Sequence, residues 1–155
     1  MKRSIQVIRL TLVMLSFGAL AKTEAPAVDP HAGAKTFFEQ YASLVKAYDP
    51  AVGDRYADQA VMRNKHTYPH GNLRALELPA MKCKSLMRAS MPAAKAIGDH
   101  STYSDVRFAR ERDNVRVAAT RYAVGKKYSS PMSLLVAREN GGPWLIIEEL
   151  SESQP

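Results

Sequence analysis

The apolar side chains of this sequence change their spacing once, and that change limits the fold class more than any other feature. Phe37, Phe38, Tyr41, Leu44, Val45 and Tyr48 recur at helical spacing, and Ala80, Cys83, Met87, Met91 and Ala94 form a second helical stripe. From Ser101 onward the period becomes two. Val106 and Phe108 alternate with Arg107, and Val115, Val117 and Ala119 alternate with Arg116, Ala118 and Thr120. Helices gathered in the first half and strands in the second describe an α+β domain.

Turn residues place the boundaries. The first helix stops at Asp49-Pro50, because a residue before proline avoids the α region. A short helix then runs from Pro50 to about Tyr56 or Ala57. Val61 to Tyr68 reads as a strand, Pro69 to Asn72 as a turn and Leu73 to Leu78 as a returning strand. Pro79 opens the second long helix, Pro92 should break or kink it near Ser90, and Gly98 ends it. Asp113-Asn114 turns the chain between strands. Ser133 to Arg138 and Trp144 to Glu149 are the last two strands, and both are apolar on their two faces. Helices cover one face of a single sheet, so the other calls for a partner. A homodimer is the expectation; the alternative is a central strand with a modestly exposed apolar face.

Composition narrows the function classes. The chain is 46% apolar and 24% charged, as in ordinary globular domains, which excludes collagen-like and disordered chains. A single cysteine excludes a disulfide framework and a four-thiolate zinc site. Residues 1–21 have the form of a secretory signal: Lys2, Arg3 and Arg9, an uncharged Leu10–Leu20, then Ala19-Leu20-Ala21. That apolar run is too short to span a bilayer, which takes about 20 residues. Cleavage after Ala21 would make the protein periplasmic or secreted. It would also lower the charge from +7 to +4, since Lys2, Arg3 and Arg9 leave. The remaining surface mixes both signs, so neither nucleic acid nor, after cleavage, a membrane is expected as partner. Residues 22–33 read as a flexible leader, 34–151 as one domain and 152–155 as a tail.

The order of elements, the phrase AYDPAVGDRYADQAVM (Ala47–Met62) and a tryptophan-led last strand resemble the nuclear transport factor 2-like superfamily. That superfamily includes ketosteroid isomerase, scytalone dehydratase and polyketide cyclases; no subfamily is assigned. The resemblance implies a cystatin-like cone, with a curved, mostly antiparallel sheet wrapped around two or three helices from the N-terminal half. It also implies a pocket at the open end.

In the isomerase branch a tyrosine on the first helix lies in the oxyanion hole, and Tyr41 in QYASLV matches it. The branch also needs an aspartate base where this chain, after ADQAVMR, has Asn64. An amide accepts no proton near neutral pH, which argues against catalysis of that kind. Of the four histidines only His66 lies within a strand; His31 falls in the leader, His70 and His100 at turns. His66 and Glu148 are the catalytic candidates. No His/Cys cluster marks a metal site, and no glycine loop marks a phosphate-bearing cofactor. Cys83 reads as a small buried hydrophobe, or else as half of an intermolecular disulfide. Arg121 to Ser130 gathers cations, tyrosines and hydroxyls suited to an anion. Glu148 and Glu149 lie on opposite faces of a strand, so one points inward, with Arg121 or His66 as a conceivable partner. The expected ligand-binding set is Tyr41, Asn64, His66, Tyr68, Arg121, Tyr128 and Glu148. The leading functional reading is an exported protein that binds a small, partly apolar molecule in the cone. A lyase, isomerase or hydrolase in the same cavity is the alternative, and a protein-interaction module using the outer sheet face is another.

Overall fold

A computed structural model describes residues 30–138 and 140–154. The expected signal segment and residues 22–29 of the expected leader lie outside the described residues. Helix α1 spans Pro30–Ala47, a short 3-10 helix follows at Pro50–Arg55, and helix α2 spans Ala80–Ile97. The strands are β1 (Tyr56–Thr67), β2 (Leu73–Pro79), β3 (Ser101–Glu111), β4 (Asn114–Ala123), β5 (Tyr128–Arg138) and β6 (Trp144–Ser153). They form one curved sheet in the order β2-β1-β6-β5-β4-β3. Among the described residues only the β1–β6 pair is parallel.

Each boundary has a local cause. Tyr48 takes a left-handed conformation (φ 58°) after α1, and Asp49 caps the 3-10 helix by accepting from the Ala51 N–H at 2.8 Å. Gly98, at φ 67°, closes α2, and the next N–H, of Asp99, bonds back to the Ala94 carbonyl at 2.9 Å. Several boundaries depart from the sequence expectation, and β6 runs to Ser153, past the expected end at Glu149 and into the expected tail, through its pairing with β1. Helix α1 starts at Pro30, inside the expected leader, because Ala34 is fully buried and Gly33 packs under the Trp144 ring. A Cβ at Gly33 would lie 2.6 Å from Trp144 Nε1. Strand β1 begins at Tyr56 rather than Val61, pairing Tyr56 with Ile146. Helix α2 passes through Pro92 as continuous helix. Pro92 and Arg88 are both exposed, so water can serve the carbonyl that the proline leaves without a donor. Strand β5 starts at Tyr128, five residues before Ser133, through its pairing with β4.

The core lies between the helices and the inner sheet face. Phe37, Phe38 and Tyr41 of α1 and Ala80 and Cys83 of α2 pack there with Val115, Val117, Met132, Leu134, Val136 and Ile146. Leu134, Val136 and Ile146 are fully buried. The outer face is unlike the sequence expectation of bare apolar strands. A row of alternating charge crosses it: Glu77, Arg63, Glu148, Arg116 and Glu111 are joined at 2.7–2.9 Å. Arg116 lies opposite Leu135, and Leu135 lies opposite Glu148, so the arginine reaches across the leucine to its partner. The stem of Arg116 thus covers part of the outer face at Leu135.

Candidate functional site

The site is built in two storeys on the inner sheet face. A cavity of about 480 Å³ opens at the mouth, where the ends of α1 and α2 face the sheet. Val45, Leu76, Leu78 and Met91 form much of its apolar wall, while Asn64, Arg121, Tyr128 and Ser153 add polar groups. Its size falls within the range of small-molecule sites, about 300–1,000 Å³. Beneath it lies a buried chain of hydroxyls ending on a carboxylate. The Tyr56 hydroxyl donates to Oε2 of Glu149 at 2.5 Å, and the Tyr41 hydroxyl is 3.3 Å from that of Tyr56. Because Tyr56 has given its one hydrogen to Glu149, Tyr41 is the donor in the second bond. Tyr103 packs beside Tyr41, with ring centroids 6.1 Å apart.

Burial dominates the electrostatics of the lower storey. It pushes the Glu149 carboxyl above the ordinary glutamate range, against the opposing pull of the Tyr56 hydrogen bond, Arg121 and Ser151. It holds the hydroxyls of Tyr41 and Tyr56 well above the usual phenol value and pushes that of Tyr103 up to about 12. The tyrosines therefore stay protonated as donors.

Arg121 stands between the storeys. One Nη donates to the Glu152 carbonyl at 2.6 Å and makes a long contact, 3.4 Å, with Ser130 Oγ. Its Nε is buried with no hydrogen-bond partner. Among the described residues Arg121 makes no ion pair.

Solved structures of the same architecture follow from a search of known proteins. An NTF2-like protein of unknown function from Shewanella oneidensis superposes with a TM-score of 0.58 at 12% identity, covering 81% of this chain and 100% of its own. Another, from Pseudomonas putida, gives 0.60 at 13% identity, covering 81% and 88%. A Novosphingobium aromaticivorans NTF2-like protein with a cystatin-like fold gives 0.52 at 13% identity, covering 79% and 80%. The fold is nuclear transport factor 2-like. No protein-family model matches the sequence, and no curated protein matches it.

Within this NTF2-like cone the expected site residues separate into groups. Asn64, Arg121 and Tyr128 meet at the mouth cavity. Asn64 donates to Ser151 Oγ at 3.1 Å and accepts from Ser153 Oγ at 2.7 Å. That commits the Ser153 hydrogen, so His66 Nδ1, 2.8 Å from Ser153 Oγ, is the donor in its bond. His66 thus adjoins the cavity through Ser153, and Tyr68 stacks edge-on against it at 4.6 Å, partly exposed. Tyr41 sits below the cavity in the buried chain. Glu148 lies on the outer face, bonded to Arg63 and Arg116, and Glu149 is the carboxylate that points inward. The partner of that inward group is Tyr56, with Arg121 acting at longer range; His66 is not among the groups that act on it.

Sequence reasoning passed over several residues. His100, assigned to a turn, and Asp99 line the cavity with Tyr48. The Tyr48 hydroxyl lies 3.0 Å from His100 Nδ1. The only sequence signal was the position of these two turns, after Tyr48 and after Gly98, at the ends of the two helices. A larger trough of about 780 Å³ crosses the outer face beside Arg63, Lys65, Leu73, Arg107 and Leu150. The mouth is the better site, because its wall combines apolar side chains with a partly buried cation that makes no direct ion pair among the described residues.

Proposed function

We propose that this protein binds a small, partly apolar molecule in the mouth cavity of the cone, with the polar end of that molecule at Arg121. The single observation that carries this reading is Arg121 itself: a guanidinium in an otherwise largely apolar wall, without an ion pair among the described residues. Mass spectrometry of the protein purified under native conditions tests it. A retained small molecule in the wild type, lost in Arg121→Met, supports the reading; equal retention in both rejects it.

A second reading, a lyase, isomerase or hydrolase in the same cavity, draws on His100. It lines the cavity beside Asp99 and is held by Tyr48, which are the parts an acid-base pair needs. Conversion of the retained molecule by the wild type, lost in His100→Gln with retention intact, would favour it.

Two features of the proposal concern the molecule's surroundings. Export rests on residues 1–21, and a mature N-terminus at Lys22 checks it. A homodimer would seat a second copy in the outer trough, where Leu73 and Leu150 are exposed. A monomer in sedimentation at micromolar concentration would reject that.

A further inference from the structure

We propose that the mouth cavity takes up an amphiphilic monoanion of the carboxylate class, and that the same event loads a proton onto Glu149. This rests on the ligand reading above and adds the ligand's charge and its linkage to pH.

The anion follows from what surrounds Arg121. Its hydrogen bonds go to neutral groups, the Glu152 carbonyl and the Ser130 hydroxyl. The cavity lining carries two cations, Arg121 and Lys126, against one carboxylate, Asp99, which already accepts from the Gly125 N–H at 3.2 Å. His100 on the same wall is held by Tyr48. Glu149 acts on Arg121 only at longer range, so the guanidinium holds no direct ion pair among the described residues, and its planar fork matches a carboxylate.

The proton follows from what surrounds Glu149. Tyr56 from β1, Arg121 from β4 and Ser151 from its own strand act on it; Tyr41 from α1, Cys83 from α2 and Tyr103 from β3 feel its charge, and β5 sets the apolar Leu134 opposite it. Of these, Arg121 alone is charged at neutral pH. Strand register explains the link. Arg121 lies opposite Ser130 on β5 and donates through one Nη to the Glu152 carbonyl of β6, above the inward-facing Ser151 and Glu149. One cation therefore serves both the buried carboxylate below and the cavity above.

An anion bound to Arg121 cancels the charge that favours ionised Glu149, so the carboxyl takes a proton. Protonating Glu149 first releases the full charge of Arg121 to the anion, and the two effects must be equal. Glu149 is already displaced toward the neutral form by burial. Affinity for the anion should then rise as pH falls through the window between its free and bound titrations, by up to about tenfold per pH unit.

The test uses 1-octanesulfonate, which stays charged and so contributes no proton of its own, with 1-octanol as the neutral control. Calorimetry on the full mature chain in buffers of different ionisation heat counts protons taken up. Carbon-13 NMR of the Glu149 carboxyl follows its titration with and without the sulfonate. Expected are sulfonate binding with fractional proton uptake, a Glu149 titration moved to higher pH, at least tenfold weaker binding in Arg121→Met, and binding without proton uptake in Glu149→Gln. Sulfonate binding to the wild type with no proton uptake overturns the coupling and leaves the ligand site standing. So does proton uptake that persists in Glu149→Gln. Octanol binding as tightly as the sulfonate overturns the anion. Failure of both probes overturns the ligand reading and this inference with it.

Discussion

The hydroxyl of Tyr56, the first residue of β1, donates a 2.5 Å hydrogen bond to Glu149, six residues into β6, and both side chains are buried. The bond joins the two parallel strands at the centre of the sheet. It also makes a buried carboxylate tolerable, because a buried acceptor costs most when it has no donor.

Tyr56→Phe keeps the ring and deletes that donor. The variant should lose about 1–3 kcal/mol of stability, since it leaves Glu149 without its closest partner. The loss should be larger near neutral pH, where more of the carboxyl is ionised, than in acid. Urea denaturation at two pH values measures it, and wild-type stability in the variant would refute the role given to this bond.

Glu149 should impose a pH dependence on folding. Its pKa is higher in the folded chain than in the unfolded one, chiefly through burial. The folded state therefore holds the proton to higher pH. The associated stability is complete below the unfolded value and is lost as pH rises through the folded value, with a slope of up to about 1.4 kcal/mol per pH unit. Glu149→Gln, neutral throughout, should flatten this decline while still accepting from Tyr56. An equally steep decline in the variant would assign it to another group.

Glu148 should behave quite differently from its neighbour. It accepts from Arg63 at 2.9 Å and Arg116 at 2.7 Å on the outer face, where it is 24% exposed. Glu148→Ala should cost about 0.5–1 kcal/mol at low salt and less at high salt, because partly exposed ion pairs are screened. Binding of 1-octanesulfonate should be unchanged, since the cavity is on the other side of the sheet. A tenfold change in that binding would contradict the placement.

Cys83 should be inert in the folded protein. Its thiol is buried, which pushes its pKa up to about 11, so little thiolate exists near neutral pH. Iodoacetamide should label it only at the rate of transient opening and promptly in urea. Rapid labelling of the native protein would refute this, and a disulfide-linked dimer under non-reducing conditions would do the same.

Much of this fold was legible in the residues. Of the helical stripe, Ala80, Cys83, Met87 and Met91 meet the core and Ala94 lines the mouth cavity, and Gly98 ends α2 in the left-handed conformation that glycine adopts freely. Asn64, Arg121 and Tyr128 were legible as polar groups on neighbouring strands, and they share the cavity wall. Tyr56 was not, because its place depends on pairing with a strand about ninety residues later, which local spacing does not encode.

The two glutamates mark the boundary between what the residues determined and what folding decided. Alternation alone required one of Glu148 and Glu149 to face inward, because neighbouring strand residues point to opposite faces. Which one was a matter of register. Ile146 lies opposite Val136 and Glu148 opposite Leu135, so Ile147 is an extra residue that β5 does not match. Without that bulge Glu148 would share the inner face with Ile146. With it the phase flips, Glu149 enters the core beneath Arg121, and Glu148 joins the outer charges. A bulge follows from how two twisted strands fit around the helices they cover, and that fit exists only once the chain has folded.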